Sequence, residues 1–113
     1  MLIHKNMKWK INYYDKQTEQ SILDWPAKIK AKYLFVTKLM EEHGPNLGES
    51  YTKAFGDGLF EIRAKGQEGI GRAFFCTLVG KKILILHGFI KKTQKTPKNE
   101  LAIARKKLKE VRQ

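Results

Sequence analysis

The chain has 113 residues, enough for one domain with a modest hydrophobic core. Its formal net charge of +12 at pH 7 predicts a polyanionic partner, such as a nucleic acid, an anionic membrane or an acidic protein. Residues 1–58 carry 9 Lys or Arg against 7 Asp or Glu, whereas residues 59–113 carry 14 against 4. This segregation favours a dedicated anion-binding face in the second half of the chain.

The composition also excludes several classes of protein. A lone cysteine, Cys76, cannot form an intrachain disulfide and is typical of a reducing compartment. No stretch approaches the roughly 18 apolar residues of a membrane span, and the first ten residues contain no continuous apolar segment of the secretory type. We therefore expect a cytoplasmic protein, with residues 1–6 as a disordered lead-in to a single domain over residues 1–113.

The first half of the chain predicts one strand and two helices. Alternating aromatic and β-branched residues indicate a strand over Lys8–Tyr14. A short helix follows over Thr18–Trp25, with Thr18 or Ser21 as its N-cap. Pro26 then suits the first turn of a second helix, which ends at His43-Gly44-Pro45. Spacings of four, three and four give this helix one apolar stripe, formed by Ile29, Tyr33, Val36 and Met40.

The second half predicts a loop, three strands and a final helix. The loop covers Asn46–Gly58, and the strands cover Leu59–Ala64, Gly71–Leu78 and Lys82–Lys91, the last two joined by a two-residue turn at Gly80-Lys81. Thr96 and Pro97 begin a terminal helix, whose apolar stripe is Leu101, Ala104, Leu108 and Val111. The order β-α-α-β-β-β-α indicates an α+β domain with helices packed on an antiparallel-rich sheet.

Metal and cofactor chemistry has no support in the sequence. His4, His43 and His87 are scattered, and no Cys, His and carboxylate cluster has the spacing of a ligand set. His87 lies in the middle of the last predicted strand, where a histidine is more often part of the packing than a catalyst. We expect neither a metal site nor a cofactor.

A cationic sheet face is the remaining candidate site. If the last three strands are neighbours, alternation brings Arg63, Arg72 and Lys92 to one patch. Guanidinium groups there can stabilise the charge that a phosphate gathers when a ribose 2′-hydroxyl attacks it, a crowded lysine can exchange a proton near neutral pH, and Phe74 or Phe75 can stack a base. Taken singly, each of these residues is more often a solvated rim cation or a core aromatic.

Three motifs together resemble a known family. LFEIR (Leu59–Arg63), GRAFF (Gly71–Phe75) and ILHGFIKKTQKTP (Ile85–Pro97) are similar to segments of the RelE/HigB superfamily of toxins. The resemblance is to the phage-derived RelE-like, HigB-type branch, and it extends over roughly residues 8–112. It implies a RelE-like domain with the order of elements given above.

The resemblance also implies an activity and partners. Such toxins are ribosome-dependent, metal-independent mRNA endonucleases that enter the ribosomal A site, and an antitoxin with a helix-turn-helix domain (HigA-like) neutralises them. Matched by motif, Arg63 and Arg72 would bind and polarise the scissile phosphate, and Lys92 would hold it or transfer a proton. Lys91 and Lys95 would contact RNA.

The general base stays open, because the chain departs from the family pattern. Many relatives have a catalytic tyrosine where this chain has Phe74 and Phe75, and one branch has a lysine where this chain has Glu61. Glu61, His87 and a lysine are the candidates. Two alternative functions also remain: a non-catalytic nucleic-acid-binding protein of phage or plasmid origin, and an interaction module for an acidic protein.

Overall fold

The computed structural model describes residues 8–91 and 97–112. Within them the chain forms five strands and three helices in the order β-α-α-β-β-β-β-α. The elements are β1 (Lys10–Tyr13), α1 (Lys16–Leu23), α2 (Ala27–His43), β2 (Thr52–Gly56), β3 (Leu59–Gly66), β4 (Gly69–Leu78), β5 (Lys82–Lys91) and α3 (Lys98–Val111). The predicted α+β class is confirmed.

The strands form one sheet in the order β1-β5-β4-β3-β2. The pairs from β2 to β5 are antiparallel, whereas β1 runs parallel to β5. A parallel neighbour requires a crossover connection, and α1 and α2 lie in the chain between β1 and the antiparallel strands. The sheet is therefore mixed, with three antiparallel pairs and one parallel pair.

The two faces of the sheet bury separate cores. The apolar stripe predicted for α2 is fully buried against one face, where Ile62, Phe75 and Ile85 are among its neighbours. The other face carries Leu59, Phe74 and Leu86, which pack with Ala104 and Leu108 of α3. The stripe predicted for α2 is thus fully buried. In the stripe predicted for α3, Ala104 and Leu108 are buried, and Leu101 and Val111 are partly buried.

Glycines on the sheet let the helical pair lie close to it. A Cβ on Gly71 would come within 2.6 Å of Trp25 Cζ3 and 2.7 Å of Ile29 Cγ2, and one on Gly88 within 2.6 Å of Ile22 Cγ1. A side chain at either position would displace the side chains of Trp25, Ile29 or Ile22. Gly71 therefore lies within β4 at a position where Trp25 and Ile29 pack directly against the backbone of the sheet.

Three details differ from the sequence prediction. The segment predicted as a loop over Asn46–Gly58 contains the edge strand β2. The N-cap of α1 is Asp15, whose Oδ1 accepts hydrogen bonds from Thr18 N at 2.8 Å and Thr18 Oγ1 at 2.6 Å, so Thr18 lies inside the helix. The β4–β5 turn has three residues rather than two, because Leu78 pairs with Lys82.

Cations hold α3 onto the sheet. Arg105 Nη2 donates to Phe55 O at 2.9 Å, and Arg112 Nη1 donates to Asp57 O at 2.7 Å. Lys107 Nζ lies 4.7 Å from the ring centroid of Tyr14 and 3.4 Å from Thr18 Oγ1. Part of the positive charge of this helix is thus used in docking it, which leaves less for an anionic partner.

The predicted disordered segment, residues 1–6, lies outside the described residues. Among the helices that the structure describes, none is long and apolar enough to cross a membrane.

Candidate nucleic-acid interface

Four cations surround one carboxylate on the face of the sheet that also carries α3. Arg63 of β3 lies directly opposite Arg72 of β4, and Lys53 of β2 lies opposite Glu61 of β3. Lys91 ends β5 and pairs with Ile70, two residues before Arg72. Because alternate residues of a strand share a face, this register brings the five charged side chains together. We call them the charged cluster: Lys53, Glu61, Arg63, Arg72 and Lys91.

A buried ion pair forms the centre of the charged cluster. Arg72 Nη1 donates to Glu61 Oε1 at 2.5 Å, and the two side chains are 3% and 0% exposed. Glu61 Oε2 and Arg72 Nε have no hydrogen-bond partner within the part of the chain that the structure describes. Burial raises the pKa of the Glu61 carboxyl, and the charges of Arg72, Arg63 and Lys91 oppose that rise.

Lys91 is the second buried cation of the cluster, at 4% exposed. Burial lowers the pKa of its ammonium group, and the neighbouring charges of Arg72, Arg63 and Lys53 lower it further, whereas Glu61 acts in the opposite direction. A lysine in such surroundings exchanges its proton closer to neutral pH than a solvated one does. The cluster therefore contains a carboxyl and an ammonium group with pKa values shifted towards each other.

Arg63 is the accessible arginine of the cluster. Its side chain is partly exposed, and its backbone N–H is used in the bond to Tyr51 O at 2.8 Å. Within residues 8–91 and 97–112, no hydrogen bond or ion pair ties down its guanidinium group. A planar fork of N–H donors that is accessible beside a second arginine is suited to a phosphate group.

The structure brings together some of the predicted site residues and separates others. Arg63 and Arg72 converge as alternation predicts, but Arg72 is bound to Glu61 below the surface. Lys92 and Lys95 lie outside the described residues. The sequence does not reveal Lys53 as a member of the cluster, because its segment is predicted to be a loop. Thr52–Phe55 reads TKAF, which shows no alternation of polar and apolar residues that would indicate a strand.

Phe74, which was expected to stack a base, and His87, a candidate general base, make other contacts in this structure. Phe74 is fully buried, with its ring 5.4 Å from that of Phe55 and 6.0 Å from that of Phe89, so no face of it is open to a base. His87 Nε2 lies 2.7 Å from Glu100 Oε1, and its ring stacks on Phe89. This histidine therefore joins β5 to the first turn of α3.

No group of three or more His, Cys, Asp or Glu side chains in the described ranges is arranged to hold a metal ion. The chemistry that the cluster itself offers is electrostatic. It provides positive charge for an anion, and it contains two titratable groups, Glu61 and Lys91, with shifted pKa values.

Comparisons with known proteins point to one family and one fold. The family described as "Phage derived protein Gp49-like (DUF891)" matches residues 20–109. A chain of the crystal structure of the archaeal RelE–RelB complex from Pyrococcus horikoshii OT3 superposes with a TM-score of 0.53 at 19% sequence identity. The superposition covers 74% of this chain and 96% of the archaeal one. At 19% identity the similarity is one of fold, and it confirms the predicted RelE-like fold. No curated protein matches the sequence.

Proposed function

Because this chain belongs to the phage-derived Gp49-like family, we propose that it is the toxin of a toxin–antitoxin pair and that it cuts messenger RNA on the ribosome. Family membership over residues 20–109 and the fold shared with a chain of a RelE–RelB complex support the toxin assignment. The charged cluster supports RNA as the substrate, and the sequence motifs support the ribosomal A site as the place of cleavage.

The observation that carries the proposal is the pairing of Arg63 with Arg72 across two strands. Like charges directly opposite in a sheet destabilise it. Here the buried carboxylate of Glu61 offsets the repulsion and fixes Arg72 in place. Such an arrangement is expected where positive charge must be ready before the substrate arrives, as it is for a phosphate that gains charge in the transition state.

The reaction is a transesterification within the RNA. The 2′-oxygen forms a bond to the adjacent phosphorus, the bond from phosphorus to the 5′-oxygen breaks, and a 2′,3′-cyclic phosphate results. Arg63 contacts the phosphate oxygens directly. Arg72 lies beneath the surface and stabilises the negative charge of the phosphate electrostatically, without direct contact. A base must accept the 2′-hydroxyl proton and an acid must protonate the leaving 5′-oxygen.

We assign proton transfer to Lys91, the last residue of β5, and to Lys92, the next residue in the sequence. Lys91 has the lowered pKa that such a role requires. Glu61 is fully buried beneath the arginines, so we assign it to positioning Arg72 rather than to contact with RNA. His87 is engaged with Glu100 and is assigned to structure.

The proposed partners are the ribosome with its mRNA and an antitoxin protein. The archaeal relative of similar fold was crystallised in a RelE–RelB complex, and we extend the expectation of an antitoxin to this chain. The HigB-type motifs favour a HigA-like antitoxin with a helix-turn-helix domain.

Mapping of cellular transcripts by primer extension after brief expression tests this function. Cuts at fixed positions within codons, absent when translation initiation is blocked, are the expected result. Transcripts that stay intact while the protein accumulates would contradict it.

A non-catalytic nucleic-acid-binding protein is the second candidate, and one observation favours it. Glu61, Arg72 and Lys91 are all nearly inaccessible, as expected if the cluster only stabilises the sheet. That function predicts salt-dependent binding through exposed lysines and no cleavage on translating ribosomes. The same primer-extension experiment separates the two candidates.

A further inference from the structure

A cleft lies beside the charged cluster, at the edge of the sheet. Its volume is about 360 Å³, and it is lined by Lys32, Glu49, Ser50, Tyr51, Arg63, Lys65 and Ile70. Three of these side chains are cations and one is a carboxylate. Arg63 belongs both to this cleft and to the charged cluster, so a chain of phosphates bound in one continues into the other.

The cleft exists because β2 is shorter than β3. The register of the two strands ends at the pair of Thr52 with Ile62, after which Arg63 N bonds to Tyr51 O. The rest of β3, to Gly66, extends past β2 as an open edge. Lys65 is exposed on this edge, next to the segment that leads into β2.

Two aromatic rings lie at the cleft: Tyr51 is part of its lining, and Phe35 packs beside Tyr51. The ring centroids of Phe35 and Tyr51 lie 6.3 Å apart, and Phe35 is 50% exposed although it is a large apolar side chain. Lys32 Nζ lies 5.4 Å from the centroid of Phe35 and 5.2 Å from that of Tyr51. A cation–π interaction at the surface is weak. The ammonium group of Lys32 can therefore leave the rings to bind a phosphate, and a base can then stack on them.

We propose that this cleft binds one nucleotide of single-stranded RNA next to the scissile phosphate, with its base against Phe35 and Tyr51 and its phosphate between Lys32 and Lys65. The inference rests on the proposed function, since it names the path of that substrate. Stacking on exposed aromatic rings combined with lysine contacts to the backbone is the general mode of single-strand binding.

An acidic protein segment is the competing occupant. It would use the same lysines, and Glu49 in the lining repels carboxylates and phosphates alike. Its carboxylates, however, gain nothing from an exposed phenylalanine, whereas a base can stack on it. The two occupants can therefore be distinguished by how much the base contributes to the binding affinity.

Binding of a fluorescent hexamer of single-stranded RNA, 2′-O-methylated to prevent cleavage, is measured by anisotropy on the full chain. The probe is compared with a ribose-phosphate hexamer that lacks all bases. Phe35→Ala is expected to weaken binding of the RNA about tenfold, as is typical of losing one stacked base, and to leave binding of the abasic hexamer unchanged. Lys65→Gln is expected to weaken binding of both and to lower the salt slope by about one.

Lys10→Gln is the matched control, because Lys10 is an exposed lysine on β1 at the opposite edge of the sheet. Circular dichroism of each variant establishes that it is folded. Equal binding of RNA by wild type, Phe35→Ala and Lys65→Gln would overturn the proposal. So would equal affinity of the wild type for the two hexamers, or displacement of the RNA by a hexamer of aspartate at similar concentration.

Cleavage on ribosomes is measured separately, so that the two proposals fail in different ways. If the wild type cuts mRNA and Phe35→Ala cuts it with the same dependence on mRNA concentration, the nucleotide site is wrong and the toxin function stands. If the wild type binds RNA through Phe35 but cuts nothing, the site stands and the toxin function is wrong.

Discussion

Arg72 and Glu61 form an ion pair across two neighbouring strands, with Nη1 and Oε1 2.5 Å apart and both side chains buried. Taking two charges out of water is costly, and their attraction repays the cost only when the geometry is good. Arg63 and Lys91 lie close enough to influence the same carboxylate. The carboxylate of Glu61 therefore reduces the repulsion among Arg63, Arg72 and Lys91, which would otherwise destabilise the sheet.

Glu61→Gln should destabilise the fold, because it leaves a buried arginine without a counter-charge. We expect the free energy of unfolding to fall by about 3 kcal/mol, measured by urea denaturation. Glu68→Gln removes the same charge from an exposed position in the β3–β4 turn and should change it by less than about 0.5 kcal/mol. Equal effects of the two substitutions would show that the buried pair contributes nothing to stability.

Lys91→Met should change how stability depends on pH. The pKa of Lys91 is lower in the folded protein than the ordinary 10.5, so the folded state binds fewer protons and its stability rises with pH between those two values. The substitution removes this slope. The stability of the variant relative to wild type should therefore be greatest near pH 7 and decline as pH approaches 10.5. A difference that is independent of pH would contradict the burial of a charged ammonium group at this position.

His87→Ala tests whether this histidine is structural. Losing the contact with Glu100 and the stacking on Phe89 should lower the free energy of unfolding by about 1 to 2 kcal/mol. Asn99→Ala, an exposed change in the same turn of α3, is the control for helix effects. Cleavage of mRNA should persist in the folded His87→Ala protein. A folded variant that no longer cuts would make His87 a catalytic residue instead.

Gly71→Ala probes the close approach of helix and sheet. The added methyl group would meet Trp25 and Ile29 at less than 3 Å, and we expect a loss of about 1 to 3 kcal/mol of stability. Thermal unfolding followed by circular dichroism measures it. An unchanged midpoint would mean that the helical pair is free to move away from the sheet.

The elements with strong periodicity could be predicted from the sequence. The stripe of α2 from Ile29 to Met40 repeats at the helical period, and packing buries it as a unit. β2 was missed because Thr52–Gly56 is short, lies at an edge and is flanked by glycines, which are typical of loops. The N-cap of α1 could not be predicted from the sequence, because the side chains of Asp15, Thr18 and Ser21 can all cap a helix. Only the backbone conformation at each position decides which of them is the N-cap.

The sequence could predict which residues of the site share a face of the sheet, but not how deeply they are buried. Alternation along a strand decides which face a residue occupies, and hence the meeting of Arg63 with Arg72. It does not decide how deeply that face is covered, and the burial of Glu61 and Lys91 depends on elements distant in the chain.

The most direct test of the account is the rate of mRNA cleavage by Arg63→Ala on ribosomes programmed with a defined codon in the A site. We expect the single-turnover rate to fall by at least about 100-fold, as for the loss of one preorganised donor to a developing oxyanion. The urea midpoint should not fall, because Arg63→Ala removes a repulsion between opposite arginines, and Lys10→Ala should cut like wild type. A folded Arg63→Ala protein that cuts at the wild-type rate would contradict the assignment of the charged cluster as the cleavage site.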